Sequence, residues 1–200
     1  MIVITGGAGL IGSCLLKTLN NQGVSDILVV DNLSDSLKWH NLLGKSFKKY
    51  MHKDEFITYI KNGSTEFEID CIIHLGACSK TTEPDCNYLM SNNYTYSIEL
   101  AEHCIKRGIR FIYASSAATY GNGDKGYSDE HILELKPLNP YGFSKQVFDM
   151  WALNNGVLDK ITGLKFFNVY GPNEYHKTGM HSMVFKAYNQ VKETGKVKLF

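Results

Sequence analysis

The sequence has 200 residues, of which 44% are hydrophobic, and a formal net charge of +1 at pH 7. A chain of this size can bury one sizeable core, and its balanced charge excludes a strong field that would attract nucleic acid or an anionic membrane. No apolar stretch reaches the length of a membrane span, and the N-terminal run Ile2–Ile4 reads as a strand and not as a cleavable signal, which predicts a cytoplasmic protein. The five cysteines form no CxxC pair and no metal-ligand spacing with histidine, which is typical of core residues in a reducing compartment.

Short apolar runs without polar alternation predict strands of a parallel sheet that is covered on both faces. In chain order these runs are Ile2–Ile4, Ile27–Val30, Cys71–Leu75, Arg110–Ala114 and Ile161–Phe167. Helical patterns lie between and after them, at Ser13–Asn21, Asn87–Arg107, Asn139–Asn154 and Met183–Glu193. The alternation predicts an α/β fold, a doubly wound parallel Rossmann sheet with right-handed crossovers. The polar stretch Asn122–Pro137 is predicted to be a long surface loop, and a further strand is expected to begin at Lys198.

A glycine-rich turn links the first strand to the first helix. Gly6 and Gly9 would allow a tight turn and a close approach of the backbone to a dinucleotide pyrophosphate, and Gly12 would let the helix pack on the strand. The free N–H groups of Leu10 and Ile11 at the start of the helix would then face the anion. The second strand ends in Asp31-Asn32, about twenty residues further on, where an acidic side chain can accept a hydrogen bond from the adenosine ribose. This order predicts a dinucleotide-binding site.

A tyrosine and a lysine are spaced by four positions near the start of a predicted helix. Tyr141 and Lys145 would project from one helix face, and the ammonium is expected to lower the pKa of the phenol toward neutrality, as a general acid or base requires. Ser116 ends the strand of Tyr113. Because the carboxyl ends of parallel strands face the ligand crevice, Ser116 would bind a substrate oxygen beside Tyr141.

These motifs resemble the extended short-chain dehydrogenase/reductases that act on nucleotide sugars. The resemblance rests on the glycine turn, on Tyr141 with Lys145, and on the segments Ser115–Gly121 and Phe167–Pro172. Within that family the chain is similar to the ADP-L-glycero-D-manno-heptose 6-epimerases. The segments that narrow the choice are Asp26–Leu33, His74–Ser79, Thr81–Glu83, Asn92–Tyr94 and Glu174–Lys177.

The resemblance implies inversion at C6 of ADP-D-glycero-D-manno-heptose by transient oxidation with bound NADP, which supplies heptose for the lipopolysaccharide core. It implies catalytic roles for Tyr141 and Lys177 as the two bases, and for Ser116 and Lys145. It further implies that the chain works as a homo-oligomer, a homopentamer by analogy with the family. Residues 1–170 are expected to form the NADP-binding domain with the catalytic residues, and residues 171–200 to begin the substrate-binding region.

The cofactor form is predicted from charge and from the resemblance. Asp31 alone would suit the free 2′-hydroxyl of NAD, whereas Lys38 matches the family lysine that meets the 2′-phosphate of NADP, so NADP is preferred and NAD stays possible. Lys53 matches another cofactor contact. The full predicted cofactor set is Gly6, Gly9, Leu10, Ile11, Gly12, Asp31, Asn32, Lys38, Lys53, Leu75, Gly76, Ala77, Cys78, Ser79, Asn92, Lys145, Val169 and Lys177.

Substrate-binding positions also follow from the resemblance, with two departures from the family. They are Ser116, Asn168, Gly179, Lys186 and Phe200. Gly179 stands where the family commonly has serine, and Lys186 where it has histidine. Because family members continue through a further strand and a small C-terminal domain, we expect most of the smaller domain to be missing from these 200 residues.

Two alternatives remain open from the sequence. One is another nucleotide-sugar epimerase or a dehydratase, such as a UDP-hexose 4-epimerase. The other is a catalytically silent NADP-binding module. Turnover measured on a panel of ADP-, UDP- and GDP-sugars distinguishes the heptose epimerase from the first alternative. Cofactor binding without turnover on any sugar would favour the second.

Overall fold

The computed structural model describes residues 1–177 and 179–198, and its centre is a sheet of six parallel strands. The spatial order is β3-β2-β1-β4-β5-β6, so the chain starts in the middle and winds outward in both directions. This confirms the doubly wound parallel α/β sheet. The strands are β1 (Ile2–Thr5), β2 (Ile27–Asp31), β3 (Lys49–His52), β4 (Cys71–His74), β5 (Arg110–Ser116) and β6 (Ile161–Phe166).

Helices cover the sheet and bury two apolar clusters. On one face Phe56, Leu100 and Phe148 pack on strand residues such as Val3 and Phe111. On the other face Leu16 packs against β1 and β2. None of the helices in the described residues combines the length and apolar character needed to cross a bilayer. The helices are α1 (Leu10–Asn21), α2 (Lys53–Lys61), α3 (Cys86–Leu89), α4 (Tyr96–Arg107), α5 (Pro140–Asn154) and α6 (Met183–Thr194).

The helix predicted at Asn139–Asn154 is confirmed almost to the residue. Asn139 caps α5, because its side-chain oxygen accepts from the N–H of Gly142 at 2.7 Å, and Pro140 occupies the first turn, where its missing donor costs nothing. The predicted loop Asn122–Pro137 contains one short 3₁₀ turn, Ile132–Glu134. Gln146 of α5 holds that turn by donating to the carbonyls of Ile132 and Leu135, at 3.0 and 2.7 Å.

Three element predictions are wrong in detail. The sequence predicts neither β3 nor α2. β3, Lys49–His52, has no apolar run because it is a short, largely polar strand at the edge of the sheet. The single helix expected at Asn87–Arg107 is interrupted by a π-helical turn, Met90–Thr95, between α3 and α4. β6 was expected to be covered on both faces, yet it is the other edge strand and Leu164 is 42% exposed.

Candidate functional site

A cavity of about 310 Å³ lies at the carboxyl ends of β1, β2 and β4, where a doubly wound sheet binds its ligand. Most of the predicted cofactor residues line it: Gly6, Gly9, Leu10, Ile11, Gly12, Asp31, Asn32, Lys38, Lys53, Leu75, Gly76, Ala77, Cys78, Ser79, Asn92 and Lys177. Six residues that were not predicted to contact the cofactor also line it: Thr5, Val30, Tyr88, Tyr96, Ala114 and His176. We call this cavity the cofactor cleft.

The glycine turn has the backbone geometry that a dinucleotide site needs. Gly6 has a φ of +67°, and a Cβ there would lie 2.7 Å from the backbone nitrogen of Gly76. A Cβ at Gly12 would lie 2.3 Å from the carbonyl oxygen of Gly6, so only glycine lets α1 pack this closely on the turn. Gly9 is the N-cap of α1 and supplies no side chain to the first amides of the helix. Those amides and the positive end of the helix dipole fit a bound pyrophosphate.

The Asp31 carboxylate accepts three hydrogen bonds within the protein. Its Oδ2 accepts from the N–H of Ala8 in the glycine turn at 2.8 Å, and its Oδ1 accepts from the N–H of Asn32 at 2.7 Å. The Lys38 ammonium also donates to Oδ1, at 2.5 Å. The carboxylate is 6% exposed and therefore fixes the turn and Lys38 together at the edge of the cleft. A 2′-phosphate on the ribose would compete with Asp31 for the lysine.

The segment 171–177 brings Lys177 into the cofactor cleft. Glu174, which is buried, accepts from the N–H of Gly171 at 3.3 Å and from the N–H and hydroxyl of Ser182 at 2.7 and 2.9 Å. Asn41 ties the segment to the glycine turn, because its amide nitrogen lies 3.0 Å from the carbonyl oxygen of Asn173 and 2.9 Å from that of Ala8.

The environment of Lys177 favours loss of its proton. Burial lowers the pKa of the Lys177 ammonium, and the charge of Glu174 partly opposes this. A lysine with a lowered pKa can accept a proton at a pH where an exposed lysine cannot.

Tyr141, Ser116 and Lys145 come together where β5 meets α5. Lys145 is buried, and its ammonium donates to the carbonyl oxygen of Ala114 at 2.9 Å, next to the cofactor cleft. Burial lowers the pKa of Lys145 to about 8, with Asp149 and Cys78 acting in the opposite direction. The structure therefore confirms that α5 lies against the carboxyl end of β5.

The expected pKa of Tyr141 is wrong. Burial raises the pKa of the phenol above its usual value, and the Ser116 hydroxyl opposes this only in part. The physical reason is that desolvation penalises the phenolate. Tyr141 is therefore protonated at neutral pH in this structure and is suited to donate a proton.

A buried hydrogen-bond chain connects the cofactor loop to the interrupted helix. The N–H of Gly76 donates to Thr5 Oγ1 at 3.0 Å, and that hydroxyl lies 2.6 Å from His74 Nδ1. On the other side of the ring, Nε2 lies 2.8 Å from Ser97 Oγ, whose own proton goes to the carbonyl of Asn93 at 2.6 Å. These directions assign the proton of the neutral ring to Nε2. Burial lowers the pKa of His74 to about 3, so the ring stays neutral.

Asn93, in the π-helical turn, joins the loop after β4 to the catalytic helix. Its Oδ1 accepts from the N–H of Cys78 at 2.8 Å, and its Nδ2 donates to the carbonyl of Cys78 at 3.0 Å and to Ser144 Oγ at 3.1 Å. Ser144 in turn donates to the carbonyl of Tyr141 at 2.7 Å. Reasoning from sequence missed this role because a single asparagine in a helical pattern carries no distinguishing signal.

The remaining predicted positions are not brought into the cofactor cleft. Lys145 and Val169, both predicted cofactor contacts, are not among its lining residues, and Asn168, Gly179 and Lys186 are exposed. Phe200 lies outside the described residues. The substrate-binding roles of these positions stay predictions.

Comparison with known proteins places the chain in the NAD dependent epimerase/dehydratase family, which matches residues 2–200. The chain belongs to this family, and the family and the glycine turn together identify a nicotinamide dinucleotide as the cofactor class.

Among relatives, the ADP-L-glycero-D-manno-heptose-6-epimerase of Nitratidesulfovibrio vulgaris is 53% identical over 202 residues, which cover the whole chain and 62% of the relative. The protein of the same name from Fusobacterium nucleatum is 49% identical over 205 residues, with the same coverage. The crystal structure of the Helicobacter pylori ADP-L-glycero-D-manno-heptose-6-epimerase superposes with a TM-score of 0.85 at 31% identity, covering 100% of this chain and 65% of that one. The chain thus spans less than two thirds of the length of these relatives.

Proposed function

We propose that the chain is the cofactor-binding and catalytic part of an epimerase that inverts C6 of ADP-D-glycero-D-manno-heptose and uses NADP. The observation that carries this proposal is the pairing of two proton-transfer candidates with one dinucleotide cleft. Lys177 lines the cleft, and Tyr141 with Ser116 and Lys145 adjoins it at the end of β5. The named relatives at 49% and 53% identity support the choice of sugar nucleotide.

The residues of the cleft fit an NADP molecule. The amides at the start of α1 would hold the pyrophosphate, and Lys38 would meet the 2′-phosphate with Lys53 nearby. When bound, the cofactor supplies reversible hydride transfer at C6 and is regenerated in each turnover. NADP is preferred to NAD because Lys38 pairs with Asp31, the carboxylate expected to bind the ribose. Its positive charge would therefore lie beside the 2′-phosphate.

Two proton-transfer groups suit an inversion, because the carbonyl formed at C6 must present its other face before reduction. Lys177, with its lowered pKa, is suited to accept the hydroxyl proton, and the protonated Tyr141 is suited to return one. In the reverse direction the two groups exchange tasks. Ser116 would hold the C6 oxygen beside Tyr141.

The remaining parts of the proposal rest on the family resemblance. Residues 1–170 form the cofactor domain, and residues 171–200 begin the substrate-binding region, in which Asn168, Gly179, Lys186 and Phe200 would contact the sugar nucleotide. The protein would work as a homo-oligomer.

The test uses this chain alone and this chain completed with the part of a relative that lies beyond the matched residues. NADP and NAD affinities are measured first, and then turnover on ADP-, UDP- and GDP-sugars. The proposal expects interconversion of the two ADP-heptose epimers by the completed chain. Turnover of a UDP-sugar instead would replace the substrate assignment, and tight NADP binding without turnover on any sugar would contradict the proposal.

A further inference from the structure

One face of α5 carries three ionisable side chains at intervals of four residues. They are Tyr141, Lys145 and Asp149, and this spacing places them in a row. Each of them contacts one or two of the last four residues of β5. Asp149 accepts from the hydroxyls of Tyr113 and Ser115, at 2.9 and 2.7 Å. Lys145 donates to the carbonyl of Ala114 at 2.9 Å, and Tyr141 adjoins Ser116. The row therefore fixes the catalytic helix on the strand.

Asp149 is a buried charge with a complete set of partners. It is 2% exposed, and besides the two hydroxyls of β5 it accepts from the Lys165 ammonium of β6 at 2.7 Å. Lys165 also donates to Thr119 Oγ1 at 2.9 Å and lies 5.2 Å from the centre of the Tyr120 ring. A buried ion pair of this kind is a poor source of net stability, although losing one partner is costly. A role beyond stability would account for a carboxylate at this position.

Asp149 is one of the charges around Lys145. Burial lowers the pKa of Lys145, and the groups that raise it are Asp149 on the same helix and Cys78 in the loop after β4. His74 of β4 faces the ammonium as a neutral ring, and Tyr141 shares its helix face.

Asp149 is itself surrounded by few charges. Beyond Lys165, the titratable groups among the described residues that line the cavity beside it are Tyr113, Tyr120, Tyr127 and Asp129. The phenol of Tyr113 is kept neutral because burial raises its pKa, and the charge of Asp149 raises it further. Within the described residues, Asp149 is thus the anion on α5 that stabilises the buried ammonium.

We propose that Asp149 is a positioning residue of the active site, which holds α5 in register on β5 and provides the counter-charge that keeps the Lys145 ammonium in place beside Tyr141. The inference rests on the proposed function only where it assigns Lys145 and Tyr141 to catalysis. The contact between the helix and the strand stands without it.

The experiment measures the titration of Lys145 directly by NMR of protein labelled with carbon-13 at the lysine ε position. Lys145→Arg assigns the signal. Three variants are compared: Asp149→Asn, Lys165→Met, and the double variant Asp149→Asn with Lys165→Met. The double variant leaves neither member of the Asp149–Lys165 pair unpaired and keeps an acceptor for Tyr113, so it remains informative if Asp149→Asn alone does not fold.

Removal of the carboxylate should lower the titration midpoint of Lys145 by about one pH unit or more, both in Asp149→Asn relative to wild type and in the double variant relative to Lys165→Met. Lys165→Met, which keeps Asp149, should not lower it. A midpoint in the folded double variant equal to that of Lys165→Met would overturn the proposal and reduce Asp149 to a packing residue. An equal fall in Lys165→Met would also overturn it, because the carboxylate would then not be the group responsible.

Activity gives a second measurement that separates this inference from the proposed function. In the completed chain, the alkaline limb of the kcat profile should lie at lower pH in the double variant than in Lys165→Met, with KM for the sugar nucleotide little changed. A shifted NMR midpoint in a protein that epimerises no sugar would support the role of Asp149 and contradict the proposed reaction. A shifted midpoint with an unmoved kcat limb would overturn the link of Asp149 to catalysis.

Discussion

Replacing His74 by glutamine tests the buried hydrogen-bond chain beneath the cofactor loop. The pKa of His74 falls from 6.5 to about 3 because burial penalises the imidazolium, with the charge of Lys145 as a further cause. Between these two values the unfolded chain binds a proton that the folded chain does not bind. Stability is therefore lost as the pH falls below 6.5, and at higher pH the group makes no difference. Each pH unit inside this window is worth about 1.4 kcal/mol, so two units cost about 3 kcal/mol of the free energy of unfolding.

Glutamine can accept from Thr5 and donate to Ser97 as the neutral ring does, although it loses the stacked contacts with Tyr96 and Phe111. We expect His74→Gln to cost about 1–3 kcal/mol at pH 7.5 and this gap to close by about 3 kcal/mol at pH 4.5. Urea unfolding followed by tryptophan fluorescence across this range measures both effects. His103→Gln is the control, because His103 is only half-buried and should keep most of the wild-type slope. Parallel curves for wild type and His74→Gln would refute the neutral buried ring.

The other predictions concern the cleft. Lys38→Ala should weaken NADP binding by about 10- to 100-fold and NAD binding much less, since a charged hydrogen bond is worth about 1.5–3 kcal/mol; equal losses in calorimetric titration would mean that Lys38 does not discriminate. Gly9→Val should abolish binding of both dinucleotides, because the branched side chain would occupy the pyrophosphate space, and an added Cβ alone lies 3.2 Å from the Gly6 carbonyl oxygen. Unchanged affinity in a folded variant would rule out the glycine-turn assignment. Tyr141→Phe and Lys177→Met should each reduce epimerisation by about 10²–10⁴-fold with cofactor binding largely kept. Near-normal turnover in Lys177→Met would mean that Lys177 is a loop lysine without a catalytic role.

The sequence was most informative where a local rule constrains the backbone. The glycine turn, the helix predicted from Asn139 and the uninterrupted apolar strands each reflect one local requirement, and all appear in the structure. β3 escaped prediction because an edge strand needs no apolar run. The π-helical turn around Asn93 escaped because its geometry depends on contacts with Cys78 and Ser144, which are distant in sequence.

The electrostatics of the site could not be read from spacing alone. The interval between Tyr141 and Lys145 correctly placed both on one helix face, yet it gave the wrong direction for the phenol pKa, because burial outweighs the hydrogen bond with Ser116. The pairing of Lys38 with Asp31 was likewise hidden, since both were assigned to the cofactor and not to each other. Such effects depend on how deeply each group is buried, and burial follows from the assembled fold.

The most direct test of the proposed epimerase reaction is the fate of the C6 hydrogen in heavy water. The completed chain, with NADP bound, is incubated with ADP-D-glycero-D-manno-heptose in D₂O, and both epimers are followed by proton NMR. Because the hydride that leaves C6 is the one returned, the account predicts interconversion of the two epimers with no deuterium at C6. Deuterium at C6, or no interconversion by a folded protein that binds NADP, would contradict it.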